Sequence, residues 1–154
     1  MRTLDELLAE GAAFADLDAE HRRLIAGCAV NRVVADGALL LREGVPDDAF
    51  FLIRRGAVAL EVSAPHRLLT VETLHAGDLV GWSWMLPPYR SHFDARALGE
   101  THVIAFDATC LRGKCETDPV LGYALYRRFA AVIVDRLQAT RLRLLDLYGP
   151  PVGA

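Results

Sequence analysis

Cysteine is scarce in this chain, with three residues in 154, and no two of them form a Cys-x-x-Cys pair. Cys28, Cys110 and Cys115 are an odd number at wide spacing. That argues against a disulfide framework and against a zinc ribbon, and makes buried, inert thiols the expectation. No apolar run approaches the roughly 20 residues of a membrane span. The opening MRTLDELLAEGAAF mixes acids with apolar side chains, unlike a secretory signal or transit peptide. A strong excess of either charge is missing as well, since the formal net charge is −3, and no general attraction to nucleic acid follows. What is present is a folded protein's balance, 53% hydrophobic and 24% charged residues without low-complexity tracts. A length of 154 residues can bury a core without metals or disulfides. A single domain over residues 1–154 and a cytoplasmic location are the expectations.

Leu4, Leu7 and Leu8, then Phe14, Leu17, Leu24 and Ile25, recur at helical spacing, with Asp16 or Asp18 placed to cap the second segment. Two short helices within residues 1–30 are expected. From Asn31 to Asp107 the pattern changes to short β-type runs, NRVVAD, ALLLRE, AFFLIRR, AVALEVS, RLLTVETL, DARAL and THVIAF. Turn signals at Asp36-Gly37, Glu43-Gly44, Gly56, Ala64-Pro65 and Ala76-Gly77-Asp78 separate them. Many short strands at regular spacing predict an antiparallel, jelly-roll-like β-roll, and with the helices an α+β fold. The last element is a single long helix over 117–148, capped by Thr117 or Asp118, started by Pro119 and ended by Gly149-Pro150. Residues 108–116 receive no element. Along the helix Tyr126, Ala130, Ile133, Leu137, Thr140, Leu144 and Leu147 form an a/d seam that predicts a homodimer. Leu121, Leu125, Phe129, Val132 and Leu145 form a second flank for the roll.

Taken together, Glu43-Gly44, the aromatic strand Asp48-Ala49-Phe50-Phe51-Leu52-Ile53, Gly56-Ala57-Val58 and Gly77-Asp78-Leu79-Val80-Gly81 resemble a known pattern. It is the pattern of the cyclic-nucleotide-binding domain of the Crp/Fnr regulators, and the expectation from this resemblance is a stand-alone module without the helix-turn-helix domain. The stretch Arg136-Leu137-Gln138-Ala139-Thr140 looks like the part of the family's dimerisation helix whose threonine reaches the purine, so the resemblance carries that role to Thr140, with Arg141 beside it. Some relatives hold an iron-sulfur cluster, but three cysteines are one short of the usual four thiolates.

A cyclic phosphate is held by a row of backbone N–H groups and one guanidinium. The family supplies them from Gly-Glu-x-Ala followed by Arg-Ser/Thr-Ala, the glutamate accepting from the ribose. The matching segment here is Gly81-Trp82-Ser83-Trp84-Met85-Leu86-Pro87-Pro88-Tyr89-Arg90-Ser91-His92-Phe93. Gly81 is retained and Ser83 offers a hydroxyl, but Trp82 replaces the glutamate and indole has no acceptor. Counting back from Ala95-Arg96-Ala97 puts Ser91, not Arg90, at the arginine's place, and a one-residue offset turns Arg90 to the opposite face. On the same count Phe93 points inward with Ser91, Ala95 and Ala97. The candidate ligand-binding residues are therefore Gly81, Trp82, Ser83, Trp84, Arg90, Ser91, Thr140 and Arg141. Three readings stay open: a cyclic-nucleotide site using Arg90, a pocket for another small phosphate-bearing anion or a planar ligand, and a filled domain kept for dimerisation or partner binding.

A cupin-like metalloenzyme is the rival from another class. His21, His66, His75, His92 and His102 show neither an HxH pair nor HxxxH spacing, and no serine stands in a glycine elbow. No catalytic residue and no metal ligand is assigned. Residues 119–154 hold five arginines against two aspartates, which suits a solvated helix face better than a nucleic-acid interface. Sequence-specific DNA readout, lacking a recognition helix, is not expected. The expected partners are a second copy through the last helix and a protein target, with no membrane contact.

Overall fold

The computed structural model describes residues 2–149. Helix α1, Leu4–Glu10, starts at Thr3, whose hydroxyl accepts from the Glu6 N–H while the Glu6 carboxylate accepts from the Thr3 N–H. Helix α2, Ala19–Ala26, is capped by Asp18, which accepts from the His21 N–H at 2.8 Å. Six strands follow: β1 Ala29–Val34, β2 Leu39–Leu41, β3 Ala49–Ala64, β4 Arg67–His75, β5 Leu79–Val80 and β6 Asp94–Asp107. Every pairing is antiparallel, in the order β1-β6-β3-β4, with β2 also on β6 and β5 also on β3. The fold is α+β, as the strand rhythm predicts.

Two pairs of predicted short strands turn out to be single long ones. The glycine at position 56 does not end a strand; it sits inside β3 at φ 97°, where the pairing with β6 shifts register. A Cβ there would lie 2.8 Å from Thr101 Oγ1 and 3.0 Å from Thr101 Cα, so only glycine permits the bulge. Because a bulge keeps the ladder running, AFFLIRR and AVALEVS are one strand, and DARAL and THVIAF likewise join in β6.

The period of two along β3 and β6 sorts their side chains into two cores. Phe50, Leu52, Ile104 and Phe106 pack with Phe14, Ile25, Trp84, Leu111, Leu121, Leu125 and Phe129 under the helices. Phe51, Ile53, Val103 and Ala105 pack with Val58, Leu60, Leu74, Val80, Phe93, Ala95 and Ala97 within the roll. Phe50 organises the first core, stacked on Trp84 at 4.8 Å and on Phe106 at 4.6 Å, with Phe129 edge-on at 4.8 Å.

Two expectations fail here. Residues 108–116 are not a connection: α3, Ala108–Thr117, leaves β6 directly, with Asp107 accepting from the Cys110 N–H at 2.8 Å. No glycine or proline marks that junction, and only Ala108 and Leu111 of the helix are buried, so its periodicity is faint. The cysteines are not all free thiols either, because Cys28 and Cys110 are joined as a disulfide with a Cα–Cα distance of 5.8 Å. The pairing Ala29↔Phe106 and the Asp107 N–H bond to the Cys28 carbonyl bring Cys28 beside the first turn of α3. The two cysteines lie 82 positions apart, and nothing in that spacing predicts the contact. Cys115 remains a free, half-buried thiol.

Helix α4, Pro119–Tyr148, has proline in its first turn and Asp118 as cap, accepting from the Leu121 N–H at 3.2 Å. Leu121, Leu125 and Phe129 are fully buried against the first core. Leu145 departs from the flank expected to cover the roll and is 66% exposed, since residues 141–149 are all exposed and the helix runs on past the roll. Tyr126, Leu137, Leu144 and Leu147 of the seam are exposed as well. No helix among the described residues is long and apolar enough to cross a membrane.

Candidate functional site

The loop between β5 and β6 is built from residues 81–93. Gly81 opens it at φ 96°, and a Cβ there would come within 3.1 Å of Leu41 Cδ1. Ser83–Met85 form one 3-10 turn. A turn at 86–89 follows, ending with Tyr89 at φ 58°, and Arg90 then bridges to Pro46. From there alternate burial sets in: Ser91, Phe93, Ala95 and Ala97 are buried, while His92, Asp94 and Arg96 lie on the other face.

Several polar groups of the loop are partnered within the protein, whereas the buried indole N–H of Trp84 has no hydrogen-bond partner. The Trp82 indole stacks on the His92 ring, centroids 4.7 Å apart, and lies 6.4 Å from the Phe93 ring. His92 Nδ1 pairs with the Ser83 hydroxyl at 2.9 Å. Arg90 is exposed, and its guanidinium donates to the Gly44 carbonyl at 2.8 Å. The buried Ser91 hydroxyl donates to the Phe93 carbonyl at 2.7 Å.

From the helix side the loop is pinned twice. Arg112 of α3 donates to the Trp84 carbonyl at 2.7 Å and lies over the Tyr89 ring at 4.2 Å. The Tyr126 hydroxyl of α4 donates to the Met85 carbonyl at 2.9 Å. These contacts join α3 and α4 to the loop. Asp47, 2% exposed, abuts this region through its N–H bond to the Tyr89 carbonyl at 2.6 Å, and neither carboxylate oxygen has a hydrogen-bond partner. Burial, reinforced by Asp48 and opposed by Arg112, pushes its carboxyl up to about 6.

Beneath α4 lies a cavity of about 400 Å³. The roll contributes Leu60, Val62, Val71 and Glu72, the loop end contributes Trp82 and Phe93, and α4 contributes Ile133, Arg136, Leu137 and Thr140. Of the eight candidate ligand residues, the structure brings only Trp82 and Thr140 to this cavity. Gly81 and Ser83 are buried in the loop, Trp84 is in the core under the helices, Arg90 and Ser91 bond locally, and Arg141 is exposed beyond the roll. Thr140 spends its hydroxyl proton on the Arg136 carbonyl at 2.9 Å.

The charged pair of the cavity escaped sequence reasoning. Arg136 lies 3.3 Å from Glu72 and donates to the Leu79 carbonyl at 3.0 Å. Desolvation raises the Glu72 carboxyl above its ordinary range, while Arg136 draws it back and Asp78 and Asp135 push it further up. Simple alternation would set Val71 and Glu72 on opposite faces, but the β3–β4 register slips between Leu60 and Glu61, leaving Val71 unpaired, and both residues reach the cavity. Arg136 could have been found, since it precedes Thr140 by one helical turn. Among the described residues no cluster of three histidine, cysteine or acidic side chains forms a metal site.

Comparison with known proteins agrees with this geometry. The family model described as "Cyclic nucleotide-binding domain" matches residues 31–118, more than half of the chain. The HTH-type transcriptional regulator Cmr of Mycobacterium tuberculosis is 26% identical over 120 residues, 78% of this chain and 48% of the regulator, so the chain spans about half the length of that relative. A putative cyclic nucleotide-binding protein from Geobacter metallireducens superposes with a TM-score of 0.79 at 27% identity, covering 89% of this chain and 99% of the other. A cyclic nucleotide-binding domain from Methylobacillus flagellatus superposes with a TM-score of 0.78 at 20% identity, covering 97% and 85%.

Proposed function

Since this chain belongs to the cyclic nucleotide-binding domain family, we propose that it is a non-catalytic, cytoplasmic sensor or regulatory module whose phosphate-binding loop no longer takes a cyclic nucleotide. The observation that carries this reading is the arrangement at the loop's end. Phe93 occupies the inward row beside Ala95 and Ala97, Trp82 stacks over His92, and Arg90 bonds the Gly44 carbonyl. A cyclic nucleotide would need a guanidinium for its phosphate and an acceptor for its ribose hydroxyl. Arg90 does not line the cavity, and Trp82 stands in place of the acceptor.

The output of such a module runs through α4. Its exposed row Tyr126, Leu137, Leu144 and Leu147 supports a homodimer, because Leu144 and Leu147 lie beyond the roll and Tyr126 and Leu137 each leave over two fifths of their surface in solvent. The two contacts from Tyr126 and Arg112 to the loop join that interface to the cavity. A change in cavity occupancy is thereby transmitted to the helix pair and to a protein target. The same exposed row favours a second reading, a ligand-free dimerisation module, in which the cavity serves only packing.

The test is thermal unfolding with millimolar cyclic AMP or cyclic GMP. A ligand at about 100 times its dissociation constant stabilises by about 2.7 kcal/mol, so a nucleotide site of ordinary affinity would raise the midpoint by several degrees. No shift is expected from either nucleotide. A clear shift that disappears in Arg90→Ala would restore the family's phosphate site.

A further inference from the structure

The cavity under α4 has a chemistry of its own. Its walls are aliphatic and aromatic, with Leu60, Val62, Val71, Phe93, Ile133 and Leu137 supplying most of the surface. The two charged groups among its lining residues, Glu72 and Arg136, lie 3.3 Å apart and neutralise one another, and Arg136 has a further partner in the Leu79 carbonyl. An anion entering here would be stripped of water and would meet no net positive charge. An uncharged apolar molecule would lose nothing and would gain the walls.

Building on the reading that the loop is closed to cyclic phosphates, we infer that this cavity binds a small, flat, uncharged aromatic molecule of two or three rings. The volume of about 400 Å³ is at the lower end of ordinary ligand pockets and suits that size. Trp82 and Phe93, the two residues that obstruct a nucleotide, become the aromatic wall for such a ligand. Thr140, whose hydroxyl proton is already given to the Arg136 carbonyl, can still accept one hydrogen bond, so a single hydroxyl or amine on the ligand is tolerated. The two obstacles to the family's ligand are thus selectivity elements for a different class.

The experiment uses the full chain and the uncharged fluorophore N-phenyl-1-naphthylamine, which brightens on leaving water. The expected result is saturable binding of one probe per chain. Val71→Trp and Leu137→Trp, which put an indole into the cavity from opposite walls, should each weaken it at least tenfold in protein whose folding is verified by circular dichroism. Val30→Trp, on the exposed edge strand away from this cavity, should leave it unchanged. Uncharged 2-naphthalenemethanol should displace the probe at a concentration at least tenfold lower than anionic 2-naphthoate. Absence of probe binding, indifference to both cavity substitutions, or equal or better displacement by naphthoate would overturn the inference. So would one probe per two chains with loss on dimer disruption, which would place the probe between the helices of two copies. Displacement of the probe by cyclic AMP would instead sink the closed-loop reading, whereas silence from both probe and nucleotide would sink only this inference.

Discussion

Arg90 donates its guanidinium hydrogen to the carbonyl of Gly44 at 2.8 Å, across 46 residues of sequence. This bond ties the loop's arginine to the turn before β3 and reinforces the backbone pairing of Ser91 with Gly44 and Val45. The loop's arginine thus serves as a strap between two turns. This bond engages one of the guanidinium's five N–H donors and holds the side chain toward Gly44.

Phe93 is expected to act as core. It is 8% exposed and packs with the residues inside the roll. Phe93→Ala should cost about 3 kcal/mol, in the range for aromatic truncation in cores. Urea unfolding checks this, and a loss below about 1 kcal/mol would mean that the ring is not holding the roll together.

The dimer interface is expected along the outer row of α4. Leu144→Lys with Leu147→Lys, both at exposed positions, should give a folded monomer in analytical ultracentrifugation, because two ammonium groups on each helix of a parallel pair repel and resist burial. A wild-type chain already monomeric at micromolar concentration would remove the interface.

The Cys28–Cys110 bond closes a loop of 82 positions in sequence and ties the start of β1 to α3. Cross-links of long loops stabilise by about 2–4 kcal/mol, chiefly by restricting the unfolded chain. Adding dithiothreitol, or making Cys28→Ser, should lower the denaturant midpoint accordingly. Cys115→Ser should leave that midpoint's response to dithiothreitol intact. A midpoint insensitive to reductant would show that the two thiols are not joined in solution.

Asp47 gives the stability a pH dependence of definite sign. Its carboxyl titrates at about 6 in the folded protein, above the ordinary value of 3.8. Between those two values the folded state holds a proton that the unfolded state has lost, so stability falls as pH rises, and above about 6 the full penalty is present. A shift of this size corresponds to a penalty on the order of 2–3 kcal/mol. Asp47→Asn should remove that fall between pH 4 and 6 relative to wild type, measured by denaturant titration at each pH. An identical profile in the variant would mean that the carboxylate is solvated.

Much of this architecture is legible in the chain, and the misses have physical causes. The turn glycines, the caps at Asp18 and Asp118 and the apolar rhythm of the strands are local signals, and the α+β roll with its long last helix follows from them. The family resemblance read from Gly77–Gly81 and its neighbours is likewise met by the match over 31–118. Helix α3 and the disulfide were hidden because one starts without a breaker and the other depends on which strand ends are neighbours. At the site, the inward row of Ser91 and Phe93 follows from strand alternation counted back from Ala95. The Glu72–Arg136 pair does not, since a bulge at Val71 decides which side chains reach the cavity, and a bulge of that kind has no signature in composition.

Whether the loop is closed to cyclic nucleotides is read by isothermal titration calorimetry of cyclic AMP into the wild-type chain. With an indole in place of the ribose acceptor, one charge-assisted hydrogen bond worth about 1.5–3 kcal/mol is missing, and Phe93 and the strapped Arg90 remove more. The account predicts no saturable heat up to about 1 mM ligand, a binding free energy weaker than about −4 kcal/mol. Submicromolar affinity, which requires more than about 8 kcal/mol, would contradict it and would mean that Arg90 leaves Gly44 to reach the phosphate.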